Sequence, residues 1–199
     1  MGSPQGDSRF RGDPPYREGM RGAAASVPQR ADIQSMIDDW ATVPAVLRDR
    51  HLTVIASNPL ARALSPSYLP GVNIARFTFL DAAVFSDQPC WPEVTGQVAA
   101  MLRDSLEQHE EDAGFRDIVG ELSAKSYDFS EMWALDVRPA DTGTANYSHE
   151  AVGDFTLSYR QLWVAEDHDD VLMVWRPTDA ASRRALAALS EIVGTPSPY

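Results

Sequence analysis

Cysteine occurs once in these 199 residues, at Cys90. An intramolecular disulfide is therefore excluded, and the Cys and His companions that a structural zinc site needs are missing. No run of about eighteen apolar residues could span a bilayer, and the first residues hold no apolar segment of the kind that directs secretion. These absences make a cytoplasmic protein with no membrane partner the expectation. Positive charge is also short: 17 Lys and Arg stand against 29 Asp and Glu, a net charge of −12. Such a surface repels nucleic-acid phosphates over most of its area, so any action on DNA falls to another segment.

Signatures of catalysis are missing as well. The chain has no Gly-x-Ser-x-Gly elbow, no phosphate-cradling glycine loop, no His-Glu-x-x-His and no Cys-His arrangement with supporting context. Ser123 and His149 can be imagined as nucleophile and base, but spacing supplies neither an orienting acid nor an oxyanion hole. His168 stands among Glu166, Asp167, Asp169 and Asp170. Consecutive acids in a hairpin loop point in alternating directions into water, so this stretch reads as a solvated turn and not as a metal site. The expectation is a protein that is not an enzyme and carries no cofactor.

What is present suits one globular domain: 44% of the residues are hydrophobic and 23% charged. Residues 1–30 form an exception, rich in Gly and Pro with five arginines and almost no large apolar side chains. They cannot offset the entropy lost on ordering and read as a disordered arm. Residues 31–199 then make up the domain.

Along the domain the hydrophobic period changes. Ile33, Met36, Ile37 and Trp40 recur at three and four, one face of a helix over Ala31 to Trp40 that should lie against the domain or a second copy. Pro44 to Leu47 and Leu52 to Ser57 read as a hairpin across a polar Arg48 to His51 turn. Asn58 and Pro59 are a cap and a first-turn residue for the next helix. Helices follow from Pro92 to about His109, from Ala113 to Lys125 and from Phe129 to Leu135. Then Phe155, Leu157, Tyr159, Gln161 and Trp163 alternate with polar neighbours as a long strand, Val171 to Trp175 is its companion across the Ala165 to Asp170 loop, and Ser182 to Val193 closes the chain as a helix. The fold class is α+β: an antiparallel sheet whose first hairpin is separated from its last three strands by a helical insert, with flanking N- and C-terminal helices, the PAS-like arrangement.

The aromatic and methionine set Phe77, Phe79, Trp91, Met101, Met132, Trp133, Phe155, Tyr159 and Trp175 is the candidate lining of an apolar cavity, because ligand pockets combine apolar walls with a few polar groups. Ordinary core packing is the competing reading for each. Arg76 beside Phe77 is the candidate anchor for a ligand carboxylate, with a salt bridge to an acidic residue as its alternative. Asn73 and Arg138 are further candidates of this kind, although Asn73 also suits a helix cap. His149 is a candidate ligand or switching residue near the last strands.

The order of VIASNPLARAL at 54–64, GVNIARFTFLD at 71–81, Trp91, IVGELSAKSYDFSEMWALDVRP at 118–139 and GTANYSHEAVGDFTLSYRQL at 143–162 resembles the ligand-binding domain of MmyB-like transcription regulators, a family common in actinobacteria. The resemblance covers about residues 31–193. It implies a PAS-like fold that binds a small, largely apolar, fatty-acid-like molecule and forms a homodimer. It also implies a helix-turn-helix domain of the XRE type, so that DNA is a partner only through a domain absent from this chain. A ligand-free dimerisation or protein-interaction module is the alternative.

Overall fold

The computed structural model of the chain describes residues 27–81, 91–109, 111–135, 137, 140–164 and 167–194. Two short apolar segments, β1 (Ala45–Arg48) and β2 (Val54–Ser57), pair antiparallel. Their register skips Ile55, so that Val54 stands opposite Arg48. The turn between them is tight because Leu52 takes φ +65°. The left-handed conformation costs a β-carbon residue about 1–2 kcal/mol. Full burial of the Leu52 side chain, a gain of about 1.5–3 kcal/mol, offsets it.

Behind β2, Asn58 does more than cap. Its Oδ1 accepts from the backbone N–H of Ala61, as a cap should, and also from that of Ala45. Its Nδ2 donates to the carbonyls of Ile37, Trp40 and Val43. One buried amide thus joins helix α1 (Val27–Asp38), strand β1 and helix α2 (Pro59–Leu64). A 3-10 turn at Pro66–Tyr68, the short helix α3 (Ile74–Arg76) and a π-helical turn at Phe77–Asp81 continue the insert.

The remaining insert helices are α4 (Trp91–Gln108), α5 (Ala113–Lys125) and α6 (Tyr127–Ala134). Asp112 caps α5 by accepting from the Phe115 N–H. Ser126 ends α5 and caps α6, accepting from the Phe129 N–H. On α4, Val98, Met101 and Leu102 are buried as the helical period requires. Val94, one turn before Val98, is exposed.

Strands β3 (Thr142–His149), β4 (Gly153–Val164) and β5 (Asp167–Pro177) and helix α7 (Ala180–Gly194) complete the chain. The sheet is five-stranded, antiparallel throughout, in the order β2-β1-β5-β4-β3. Its first hairpin is separated from its last three strands by the helical insert, which is the PAS-like arrangement expected of the sequence.

The sheet is covered along its inner face and, over β1, β2 and part of β5, on the other. Val46, Val54, Phe155, Leu157, Tyr159, Val171, Met173 and Trp175 meet the helical insert and Leu186 and Leu189 of α7 in the larger core cluster. On the other face, Ala45, Leu47, Ala56 and Leu172 meet Ile37 of α1. Ile33 and Trp40 pack beside Ile37, while Met36 lies 43% exposed. α1 therefore lies on the outer face of the sheet, and it begins at Val27, ahead of the Ala31 start expected from periodicity.

Two expectations are corrected. Arg48 is not part of a polar turn: it closes β1 and is 3% exposed. The acidic stretch before Val171 is not a solvated loop, because β5 begins at Asp167 and pairs with β4. Strand alternation sends Asp169 to Arg50 and to His109 at the end of α4, and sends Asp170, which is buried, to Arg30 of α1. Basic residues on neighbouring elements compensate acids that the sequence pattern alone assigns to water.

Candidate functional site

On the inner face of the sheet, period-two alternation aims Phe155, Leu157 and Tyr159 of β4 at the insert, and the register sets Tyr159 beside Trp175 and Tyr147 beside Phe155. The Tyr147 and Phe155 rings stack with centroids 5.9 Å apart. Tyr159 has room because its partner on β3 is a glycine: a β-carbon on Gly143 would lie 2.6 Å from the Tyr159 hydroxyl. From the 3-10 turn, Tyr68 leans on Trp175 at 5.0 Å and brings its hydroxyl to 3.2 Å from that of Tyr147. Burial raises the pKa of both phenols and of Tyr159, which keeps them neutral hydrogen-bonding groups in an apolar setting.

The insert supplies the facing wall. Phe129 of α6 is fully buried, stacked on Trp133 at 5.2 Å and met edge-on by Phe79 at 5.1 Å. Arg103 of α4 lies over the Trp133 ring, 4.8 Å from its centroid, and donates to the carbonyls of Trp133 and Leu135. It locks the end of α6 against α4.

Of the candidate lining residues, Met101, Phe155, Tyr159 and Trp175 belong to the buried inner cluster, with Phe79 and Trp133 packed against it. Phe77, Trp91 and Met132 are half-buried and lie outside that cluster. Arg76 is engaged by Glu121, its Nε donating at 2.7 Å. Asn73 caps α3 through the Arg76 N–H and donates to the His51 carbonyl and the Thr53 hydroxyl, so all its polar atoms serve the fold. His149 sits at the β3–β4 turn, its Nδ1 accepting from the Ala151 N–H. Arg138 and Cys90 lie outside the described residues. Ser123 is exposed on α5 and makes no hydrogen bond with His149.

Sequence reasoning missed Tyr68, Tyr147, Phe129 and Arg48. Tyr147 was visible in principle, since Gly143, Ala145 and Tyr147 alternate with polar residues. Arg48 follows Val46 at a spacing of two and so belongs to the inner face. Burial lowers its pKa to about 10, against the nearby acids Asp49, Asp104 and Asp170.

This geometry, an insert packed over the inner face of a β2-β1-β5-β4-β3 sheet, accompanies a match to a family model. The model for the MmyB-like transcription regulator ligand binding domain matches residues 29–189. The chain belongs to this family. The matched span runs from α1 into α7 and contains both walls described above. Among solved structures, the PAS domain of Bordetella pertussis BvgS is similar at 12% identity, covering 83% of this chain and 98% of that one with a TM-score of 0.34. A search of curated proteins gives no match. As a member of the MmyB-like family, the chain is a ligand-binding domain of the transcription-regulator type. Among the described residues no helix is long and apolar enough to cross a membrane.

Proposed function

We propose that this domain senses a small, largely apolar molecule of the fatty-acid-like class, held between the inner face of the sheet and helices α4 to α6. The observation that carries this reading is the facing of two aromatic walls. Phe155, Tyr159 and Trp175 come from the sheet, and Phe79, Phe129 and Trp133 from the insert. The Tyr68–Tyr147 pair provides the few polar atoms such sites use for orientation.

The signal passes through the sheet to α1. Strands β1 and β5 alternate between the two clusters, so Val46 and Met173 touch the ligand side while Leu47 and Leu172 touch α1. α1 is held by Ile37, by Gln34 donating to the Ser57 carbonyl and by Arg30 on Asp170. A ligand that binds one arrangement of these strands better than another shifts the population and moves α1. In a homodimer, α1 would carry that shift to a helix-turn-helix DNA-binding domain.

The test is stabilisation by an apolar probe. Dodecanol should raise the melting temperature of the wild-type chain in a saturable way. Phe155→Arg, which places a charge on the inner wall, should abolish that shift. If dodecanol stabilises neither chain while the wild type remains dimeric, the reading fails in favour of a ligand-free interaction module.

A further inference from the structure

Several arginines in the described residues rest on carboxylates. Arg30 meets Asp170, Arg50 meets Asp112 and Asp169, and Arg76 meets Glu121. The most deeply buried of the described arginines does not. Arg48, 3% exposed, donates to the Gln161 side-chain oxygen at 2.8 Å and to the Asp49 carbonyl at 3.2 Å, and its Nε has no hydrogen-bond partner. It forms no ion pair with any described carboxylate.

The place of this guanidinium matters as much as its isolation. Arg48 follows Val46 on the inner face of β1, and Gln161 follows Tyr159 on the inner face of β4. Their hydrogen bond reaches across β5 beside Val171 and Met173, both buried in the inner cluster. The pair therefore forms a polar end to the wall that Phe155, Tyr159 and Trp175 line. Burying a cation without a contacting anion is costly, and hydrophobic surroundings give no return for the open Nε–H. Asp49, Asp104 and Asp170 act on Arg48 through space, which keeps it charged. They do not fill its donors.

We propose that Arg48, with Gln161 as its positioning partner, is the anion subsite of the ligand pocket and takes the carboxylate of an amphiphile whose chain lies along the aromatic wall. A planar guanidinium holds a carboxylate by two parallel N–H donors, and the unmatched Nε–H provides one of them. This assignment rests on the sensor reading above and moves the anion contact from Arg76, which Glu121 already occupies, to the opposite face of the pocket.

The experiment titrates dodecanoate and dodecanol, equal in chain and different in charge, into the full chain and into Arg48→Met and Arg48→Lys. The wild type should bind dodecanoate about tenfold or more tightly than dodecanol, the gain expected of a buried charge-assisted pair. Arg48→Met should lose that preference and keep the dodecanol affinity, and Arg48→Lys should restore part of it. In the wild type, the Arg48 Nε resonance should shift on adding dodecanoate and not on adding dodecanol, a readout that needs no variant to fold. If both probes bind but equally, or if Arg48→Met keeps the preference, the anion subsite is overturned and the apolar pocket stands. If neither probe binds, the sensor reading falls and the subsite with it.

Discussion

The hydroxyls of Tyr68 and Tyr147, 79 residues apart in the chain, lie 3.2 Å from each other over the inner face of the sheet. One comes from the 3-10 turn after α2 and the other from the edge strand β3, so a single hydrogen bond ties the start of the insert to the end of the sheet. Tyr68→Phe or Tyr147→Phe removes this hydrogen bond and should cost about 1 kcal/mol of stability. The double variant should cost less than the sum, which a double-mutant cycle by urea denaturation measures.

The same pair sets an alkaline limit. Burial raises both phenol pKa values above the ordinary 10.0. A group with a raised folded pKa contributes stability that is complete below its unfolded value and is lost as pH rises through the folded one. Denaturant midpoints of the wild type should therefore hold up to about pH 10 and fall above it. The Tyr68→Phe/Tyr147→Phe variant should show a shallower fall.

Gly143 is a glycine because of Tyr159. Gly143→Ala would set its β-carbon 2.6 Å from the Tyr159 hydroxyl and 2.8 Å from its ring carbons, forcing a buried aromatic to move. Overpacking of this kind costs about 1–3 kcal/mol. Tyr159→Leu in the same chain should recover part of the loss, and a thermal melt of the three variants decides it.

Release of α1 should follow from its anchor. Arg30 holds Asp170 through two hydrogen bonds of 2.9 Å, and the Asp170 side chain is 1% exposed. Arg30→Gln should lower stability by about 2 kcal/mol, the order expected for hydrogen bonds to a buried charge. Hydrogen exchange should quicken in α1 before it quickens in β4, because α1 rests on the smaller core cluster.

Acid stability depends on Asp112. Desolvation alone would raise its pKa, but the Phe115 N–H, His51 and Arg50 outweigh it and lower the value from 3.8 to about 2. A depressed carboxylate contributes stability that is present above its unfolded pKa and lost as pH falls through the folded one. The wild type should weaken between about pH 4 and pH 2. Asp112→Asn keeps a capping side chain and should show a flatter acid limb in denaturant titrations.

Most of the fold was legible because it rests on short-range pattern. α5 spans Ala113–Lys125 as its period and the Asp112 cap require, and the β1–β2 hairpin and the alternation of β4 follow likewise. What was hidden depends on partners distant in sequence. Arg48 reads as a turn residue until β5 and Gln161 are placed beside it. Asp169 and Asp170 read as solvated until α4 and α1 bring His109 and Arg30 to them. The site suffered most, since a residue's face is local but the wall opposite it is not. Alternation places Phe155 and Tyr159 on one face and the apolar companion strand carries Trp175, whereas Tyr68 and Phe129 join them only through tertiary packing.

Whether the two aromatic walls enclose a small molecule is read from native against denaturing mass spectra of the purified chain. The native spectrum should carry a discrete additional mass of about a few hundred daltons, the size of a drug-like ligand, that disappears on unfolding or in the Phe155→Arg variant. A native mass equal to the bare chain, with no mass gained on incubation with dodecanoate or dodecanol, would contradict it.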